Sequence, residues 1–419
     1  MALHKFYFIL ILILTWPLRW LSYAAIHRLG AFLGSCMYYC VPKFRKRSLS
    51  NLALAATLHL SEEEICTLAK ASLQNLMITC LEYAKFASEK EIHKVATCVN
   101  PEEADRLMKD NKPVIFFCGH QANWEVLFLE GSKRMPGVAI GRPIKNTFLY
   151  NWVLSIRQKY NGKMISPQNA IREGLRGLRK GSFLGVVGDQ GMPDSGYCSP
   201  FFGRVAWTSP IAAILSHRTG SPIIVATTKR KEGKYYIHYS DPIWPKSDAP
   251  MDVEIDRLMK ASLSHLEKKI QEEPGQWLWS HNRWKQQTPD KLKRRFRHET
   301  ILIILPREKQ ALDTLLPHLS TFREIYPREF LTVYAPQEHV HDVQLEGAEI
   351  ISYANDKDLL KRDFRFKLVF NFTSSSQIKP HFKKLSAFEV VSLDDLQVLA
   401  GTATTLSELL KQSLLRHAT

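Results

Sequence analysis

Several common signatures are missing from this sequence. There is no His-Glu-x-x-His, no P-loop, no Gly-x-Gly-x-x-Gly and no Gly-x-Ser-x-Gly, which argues against a metalloprotease, an NTPase or an α/β-hydrolase. The seven cysteines, Cys36, Cys40, Cys66, Cys80, Cys98, Cys118 and Cys198, are odd in number, include no Cys-x-x-Cys pair and stop at Cys198. Neither a disulfide framework nor a zinc site fits that pattern; it predicts mostly buried, reduced thiols in a reducing compartment and no metal. No uninterrupted apolar run reaches the roughly 20 residues of an ordinary membrane span.

What stands in place of such a span is a broken hydrophobic N-terminus. Phe6 to Leu18 is uncharged and almost wholly aliphatic or aromatic, Arg19 interrupts it, and apolar sequence resumes over Trp20–Ile26 and Leu29–Val41. Trp16, Trp20, Tyr23, Tyr38 and Tyr39 are of the types that favour membrane interfaces. Three readings are open. One is a cleaved signal with Lys5 in its basic region and Ala24-Ala25 near the cleavage site. The others are a spanning helix with Arg19 snorkelling, and a helix lying in one leaflet. The basic cluster Lys43-Phe44-Arg45-Lys46-Arg47 that follows favours a cytoplasmic flank and contact with anionic headgroups. We therefore expect residues 1–41 to be an uncleaved anchor, with membrane association through residues 6–41.

The chain of 419 residues is long enough for two or three domains, and its 45% hydrophobic content suits a globular protein. Lys and Arg total 57 against 41 Asp and Glu, a net charge of +16. Such an excess suggests an anionic partner: nucleic acid, anionic lipid or an acidic carrier protein. No aromatic-basic RNA motif is present and the N-terminus is membrane-like, so no nucleic-acid partner is expected.

Helix is predicted for Ser50–Ala87, with an N-terminal signal at Ser61-Glu62-Glu63-Glu64. From Lys112 onward strands and helices alternate. Strands are predicted at Val114–Cys118, Gly137–Gly141, Lys163–Ile165, Phe183–Gly188, Pro222–Thr228 and Tyr235–Tyr239. Helices fall at Trp124–Leu129, Phe148–Tyr160, Ala170–Lys180, from Ser209-Pro210 to Arg218, and at Ile255–Gln271. This alternation implies an α/β fold, a mixed sheet with helices on both faces, in which ligands bind beyond the carboxyl ends of the strands. That rule selects His120, Arg142, Asp189-Gln190 and Lys229-Arg230, each expected just after a strand.

The most informative stretch is Val114-Ile115-Phe116-Phe117-Cys118-Gly119-His120-Gln121-Ala122-Asn123-Trp124-Glu125. An imidazole accepts a hydroxyl proton near neutral pH, and a carboxylate beside it holds its tautomer. Three further blocks follow. The first is Gly141-Arg142-Pro143-Ile144-Lys145-Asn146. The second is Gly188-Asp189-Gln190 with Pro200-Phe201-Phe202-Gly203 and Ala206-Trp207-Thr208. The third runs Pro274-Gly275-Gln276-Trp277-Leu278-Trp279-Ser280-His281-Asn282-Arg283-Trp284-Lys285. From Phe6 to Gln287 these ordered motifs resemble the lipid A late acyltransferases, the lauroyl/myristoyl transferases of Gram-negative outer-membrane biogenesis. Gly275 and Asn282 depart from the family pattern, which has Glu and Arg there. The resemblance implies acyl transfer from an acyl carrier protein thioester to a hydroxyl of a Kdo-bearing lipid A precursor, at the cytoplasmic face of the inner membrane.

A thioester is already activated, so no cofactor is expected. On this reading His120 is the general base and Glu125 orients it. Arg142, Asp189 and Asn123 serve the oxyanion or an acceptor phosphate, with Asn123 alternatively capping the next helix. Gln190, His281, Arg283 and Lys285 contact substrate or carrier. The seven Lys or Arg residues between His281 and His298 form either a surface for lipid phosphates or carrier protein, or a solvated linker. The domains expected are 1–41 anchor, 42–287 acyltransferase, 288–298 basic linker, and 299–419, a small Rossmann-like accessory domain. Another glycolipid or phospholipid acceptor, or an inactive membrane scaffold, remains an alternative.

Overall fold

The computed structural model describes residues 1–401, 403 and 405–416; residues 402, 404 and 417–419 of the expected C-terminal domain lie outside those described. The chain divides into two compact units. The first holds Met1–Val41 and Thr67–His281, and the second holds Pro42–Cys66 and the described residues from Asn282 onward. The chain thus passes from one unit to the other after residues 41, 66 and 281; residues 1–41 group with 67–281, and residues 42–66 group with the C-terminal part of the chain.

In the first unit the strands are β1 (Ala96–Cys98), β2 (Ile115–Cys118), β3 (Gly137–Ile140), β4 (Gly162–Ile165), β5 (Phe183–Val187), β6 (Cys198–Phe201), β7 (Arg204–Trp207), β8 (Ile223–Lys231) and β9 (Lys234–Tyr239). Seven of them form a mixed sheet in the order β1-β9-β8-β2-β5-β3-β4, and β6 and β7 make a separate hairpin. Every neighbouring pair in the large sheet is parallel except β8 and β9. Those two are joined by the two-residue turn Glu232-Gly233, both with positive φ (50° and 82°), the geometry of a tight hairpin. β2 sits between β8 and β5, and all four of its residues are buried. This is the continuous apolar pattern expected of a central parallel strand. The connection from β2 leads on to β3 and the one from β5 leads on to β8, on opposite sides in the sheet order. The carboxyl ends of β2 and β5 thus lie side by side where the topology switches direction, the position at which open α/β sheets bind ligands.

The apolar N-terminus forms two kinds of helix. Ala2–Thr15 has no buried residue, and with the turn Trp16–Arg19 it makes an 18-residue stretch apolar and long enough to cross a membrane. Tyr23–Cys40 is different. Its face Ile26, Gly30, Gly34 and Tyr38 is buried against the helix Glu62–Ser88. A Cβ on Gly30 would come within 2.6 Å of Ile78, and one on Gly34 within 2.3 Å of the Gln74 backbone. The small-xxx-small spacing lets the two helices touch backbone to backbone. The membrane element expected over 6–41 thus narrows at its C-terminal half, where one helix face is committed to the protein.

Other expectations shift in instructive ways. The helix expected over Ser50–Ala87 is two helices, Pro42–Leu54 and Glu62–Ser88. The second starts at a capping box in which Ser61 and Glu64 exchange backbone-to-side-chain bonds. The helix after Pro210 starts at Ile211, without a side-chain cap from Ser209. Lys229 and Arg230 lie inside β8 instead of beyond it, and Arg230 binds Asn75 Oδ1 at 2.6 Å. All seven cysteines are free thiols as expected, but only Cys118 is buried; Cys36, Cys40, Cys80 and Cys198 are exposed.

The second unit is built on a five-stranded, all-parallel sheet. Its strands are β10 (Thr300–Ile304), β11 (Phe330–Pro336), β12 (Glu349–Tyr353), β13 (Leu368–Asn371) and β14 (Glu389–Ser392), in the order β12-β11-β10-β13-β14. Between β10 and β11 the chain forms two short helices, Lys309–Leu315 and Ser320–Ile325, separated by a turn over Leu316–His318 where Pro317 cannot donate a backbone bond. Residues 288–298 are not a solvated linker. Leu292 and Phe296 are fully buried in this unit's core, and Lys293 Nζ caps the carbonyls of Gln412 and Ser413.

A buried ion pair explains why residues 42–66 and Asn282 join this unit. Lys367, 1% exposed, pairs with Glu299, 3% exposed. Asn282 bridges the pair, accepting from Lys367 at 2.8 Å and donating to Glu299 Oε2 at 3.1 Å. Asn51 of the helix Pro42–Leu54 is a further acceptor for Lys367, and Ser50 donates to the Arg365 carbonyl at 2.8 Å. A buried ion pair persists only when its remaining polar atoms are satisfied. An arginine at position 282 would bring a second cation against Lys367, so the departure from the family pattern fits its surroundings.

His298 stacks on Phe388, ring centres 5.1 Å apart, and burial pushes its imidazole down to about 4. This lies below the roughly 6.5 of an unfolded histidine. As pH falls the unfolded chain takes up the proton first, so stability is lost between about 6.5 and about 4. Replacing His298 with Phe, which keeps the stack, is expected to flatten the pH dependence of the urea midpoint in that window. An unchanged slope would assign it to other groups.

Candidate functional site

Two sharp strand ends meet at the centre of the large sheet. β2 ends at Cys118 and β5 at Val187, and the residues just beyond them, Gly119-His120 and Gly188-Asp189, face each other. The Asp189 carboxylate accepts three hydrogen bonds: from the His120 backbone N–H at 2.6 Å, from His120 Nδ1 at 2.6 Å, and from Trp277 Nε1 at 2.7 Å. Close approach demands small residues. A Cβ on Gly119 would lie 2.9 Å from Asp189 Oδ2, and one on Gly188 would lie 2.0 Å from the Phe117 ring. Asp189 is 2% exposed. Burial alone would raise its carboxyl, but the electrostatic pull of the neighbouring His120 and the two hydrogen bonds from it outweigh that and hold the group well below the usual carboxylate range. It is an anion at neutral pH. With Nδ1–H donated to Asp189, His120 Nε2 is left as an acceptor, 3.2 Å from the Gln190 amide.

The expected partner of His120, Glu125, is committed elsewhere. Arg157 Nε and Nη2 meet its two oxygens at 2.8 and 2.5 Å, and Arg157 also donates to Tyr83 at 3.0 Å. Burial opposes ionisation of Glu125, yet the Arg157 charge and its hydrogen bonds keep the carboxyl lowered. Asp189, expected to serve an oxyanion or phosphate, instead holds the imidazole. The reason is sheet order: β5 lies beside β2, so the residue after β5 reaches His120, while Glu125 has already turned into the helix Glu125–Arg134.

His120 and Glu125 border one cavity of about 390 Å³, while Asp189 is buried and is not among its lining residues. Its polar lining residues include His120, Glu125, Arg142, Arg157 and Gln190, and the rest is largely apolar, with Phe116, Phe128 and Phe183 among them. Arg142 is exposed at this cavity and touches Met192 Sδ at 3.3 Å. The His281 ring lies 4.7 Å from that of His120. Arg283 and Lys285, expected beside them, belong to the second unit and are not among the lining residues; Arg283 is fully buried and Lys285 exposed. Asn123 does two things. Its Oδ1 accepts from the Glu125 N–H at 3.1 Å, just ahead of a helix whose N-cap position is Trp124 and has no side-chain cap, and its amide donates to Glu82 at 2.7 Å. Among the described residues no cluster of His, Cys, Asp and Glu suits a metal ion.

The profile of the bacterial lipid A biosynthesis acyltransferases matches residues 1–286. The chain belongs to that family. Comparison with curated proteins gives no match. Membership makes this chain an acyltransferase of the lipid A type at the general level, and it gives the dyad and cavity a chemical context.

In this lipid A acyltransferase family member the turn that carries His120 is braced from two directions. The segment 276–278 runs antiparallel to it. The Ala122 N–H donates to Gln276 O at 2.7 Å, and the Leu278 N–H to His120 O at 3.0 Å. The other brace is a buried polar stripe on the helix Glu62–Ser88. Ser72 binds the Trp277 carbonyl, Asn75 and Thr79 bind the Ala122 carbonyl, and Glu82 receives Asn123, Tyr235 and His27 at 2.7, 2.6 and 2.6 Å. Ala122 has φ 47°, a costly value for a residue with a Cβ, and these bonds hold it there. Sequence reasoning missed Trp277 and this stripe as site elements. The available signal was the 3-4-3 spacing of Ser72, Asn75, Thr79 and Glu82 on one helical face.

Trp277→Phe keeps an aromatic ring but removes the donor to Asp189. A hydrogen bond to a buried charge is worth about 2 kcal/mol, so unfolding stability in urea is expected to fall by at least about that much. A loss within experimental error would mean that Asp189 does not depend on Trp277.

Proposed function

We propose that this protein transfers a fatty acyl group from an acyl carrier protein thioester to a hydroxyl of a Kdo-bearing lipid A precursor, with His120 as general base. The observation that carries this reading is the His120–Asp189 pair, whose imidazole lines a largely apolar cavity. The acceptor hydroxyl gives its proton to His120 Nε2 while its oxygen attacks the thioester carbonyl. Asp189 remains a carboxylate, holds the tautomer and stabilises the imidazolium, as the acid does in other His-acid pairs. The tetrahedral intermediate collapses, the C–S bond breaks, and the carrier's thiolate leaves with the proton from His120. Arg142 is the cation available at the cavity for the oxyanion or for an acceptor phosphate. Glu125 moves from an orienting role to a wall group whose charge Arg157 balances. The apolar lining suits the acyl chain.

The N-terminal helix supports membrane attachment. Ala2–Thr15 packs beside the helix Thr147–Arg157 through Phe8 and Phe148, 6.2 Å apart, and Asn146 Nδ2 donates to the His4 carbonyl at 2.8 Å. Such contacts favour a helix seated in one leaflet over a free span, with the site on the cytoplasmic face of the inner membrane. In the second unit, sheet order 3-2-1-4-5 supports a Rossmann-like accessory domain. Exposed Lys285, Lys291, Arg294 and Arg295 suit an acidic carrier.

Acyl transfer to Kdo-lipid A precursor, followed by mass spectrometry, tests the reaction. His120→Ala should abolish transfer with the fold intact. Asp189→Asn should lower kcat by on the order of 10²- to 10⁴-fold, and Glu125→Gln by much less. Equal losses for Asp189→Asn and Glu125→Gln would remove the dyad. Arg142→Ala should cost more activity than Lys145→Ala, and equal, mild losses would take Arg142 out of the site.

A further inference from the structure

At the end of the exposed apolar helix Ala2–Thr15, Trp16 and Trp20 pack edge to face with ring centres 4.2 Å apart, yet remain 53% and 66% exposed. Beside them is an open cleft of about 480 Å³ lined by Trp16, Arg19, Trp20, Lys85, Ser88 and Glu89. Arg19 Nε is enclosed and has no hydrogen-bond partner among the described residues. Lys85 Nζ donates to the Arg19 carbonyl at 2.8 Å and lies 5.8 Å from the centre of the Tyr23 ring, with no further hydrogen bond among the described residues. The acid in the cleft is occupied otherwise: Glu89 accepts from Tyr23 Oη at 3.4 Å and from the Glu91 N–H at 3.1 Å. Two other half-buried arginines in this unit are matched by acids, Arg157 by Glu125 and Arg134 by Glu130. Among the described residues Arg19 and Lys85 therefore make no ion pair, although Glu89 lines the same cleft, and they stand next to two tryptophans of the type that settles at headgroup depth.

We propose that Arg19 and Lys85 bind the phosphate of an anionic lipid headgroup at the depth where Trp16 and Trp20 rest. A guanidinium fork and an ammonium together match a phosphate's oxygens, and the open side of the cleft admits a group still attached to its lipid. The proposal rests on the reading of Ala2–Thr15 as membrane-seated. It is distinct from acceptor binding at the His120 cavity, with which the cleft shares no lining residue.

The test is flotation of the full chain with vesicles of phosphatidylcholine alone or mixed with phosphatidylglycerol. Wild type should float with both and prefer the anionic vesicles. Arg19→Gln with Lys85→Gln should lower that preference by on the order of 30-fold, with binding to neutral vesicles unchanged. Arg19→Lys with Lys85→Arg should restore most of it. Neutralising the exposed pair Lys163 and Arg172 should not change it. Failure of wild type to float with either vesicle would sink the membrane-seated reading and the site with it. Flotation with both vesicles but no preference, or equal effects of the two neutralised pairs, would overturn the headgroup site alone. Loss in the charge-retaining variant would do the same. Millimolar inorganic phosphate, at matched ionic strength, should leave the preference intact; its removal would identify a free-anion site in place of a lipid one.

Discussion

The Asp189 carboxylate is the point on which the first unit turns. An ionised group this deeply buried is tolerated only if its oxygens are fully met by donors. Asp189 meets that demand with the His120 backbone, the His120 ring and the Trp277 indole. Two of these donors come from His120 and the third from Trp277, so one charge ties the end of β5 to the end of β2 and to the Trp-Leu-Trp segment. The same demand explains the glycines at 119 and 188, since a side chain at either place would hold the strand ends apart. The imidazole is left with one tautomer and one orientation, which is the state a base requires.

Around that charge the helix Glu62–Ser88 acts as a polar brace in an otherwise apolar interior. Asn75 and Thr79 fasten the strained Ala122, Glu82 takes Asn123, and Ser72 takes the Trp277 carbonyl. Buried polar groups are costly unless every member of the network is satisfied, and a satisfied network specifies one arrangement of the backbone. Glu82 extends the network to His27 on the helix Tyr23–Cys40. A helix read as part of the membrane element is thereby joined, through two side chains, to the turn that carries His120.

The second unit is not simply an addition after the family region. The family match runs to residue 286, while Pro42–Cys66 and Asn282 onward group with the C-terminal sheet. The buried Lys367–Glu299 pair is satisfied partly by Asn51 and Asn282, both within the matched region. A charge contributed by residues beyond the family match thus has its solvation supplied by residues inside it.

Much of this was legible in the primary structure. The periods of hydrophobicity located most strands and helices of the large sheet, because those patterns are local. The strand-end rule brought His120, Arg142 and Asp189-Gln190 to one edge, and the ordered motifs identified the family. Spacing in the chain suggested that His120 pairs with Glu125, five residues on. The fold decided otherwise, because β5, some seventy residues downstream, lies directly beside β2 and brings Asp189 to the ring. Local sequence sets which segments become strands and which residues stand at their ends. Which two ends become neighbours depends on the order in which the strands assemble, and that order is settled by packing among residues far apart in the chain.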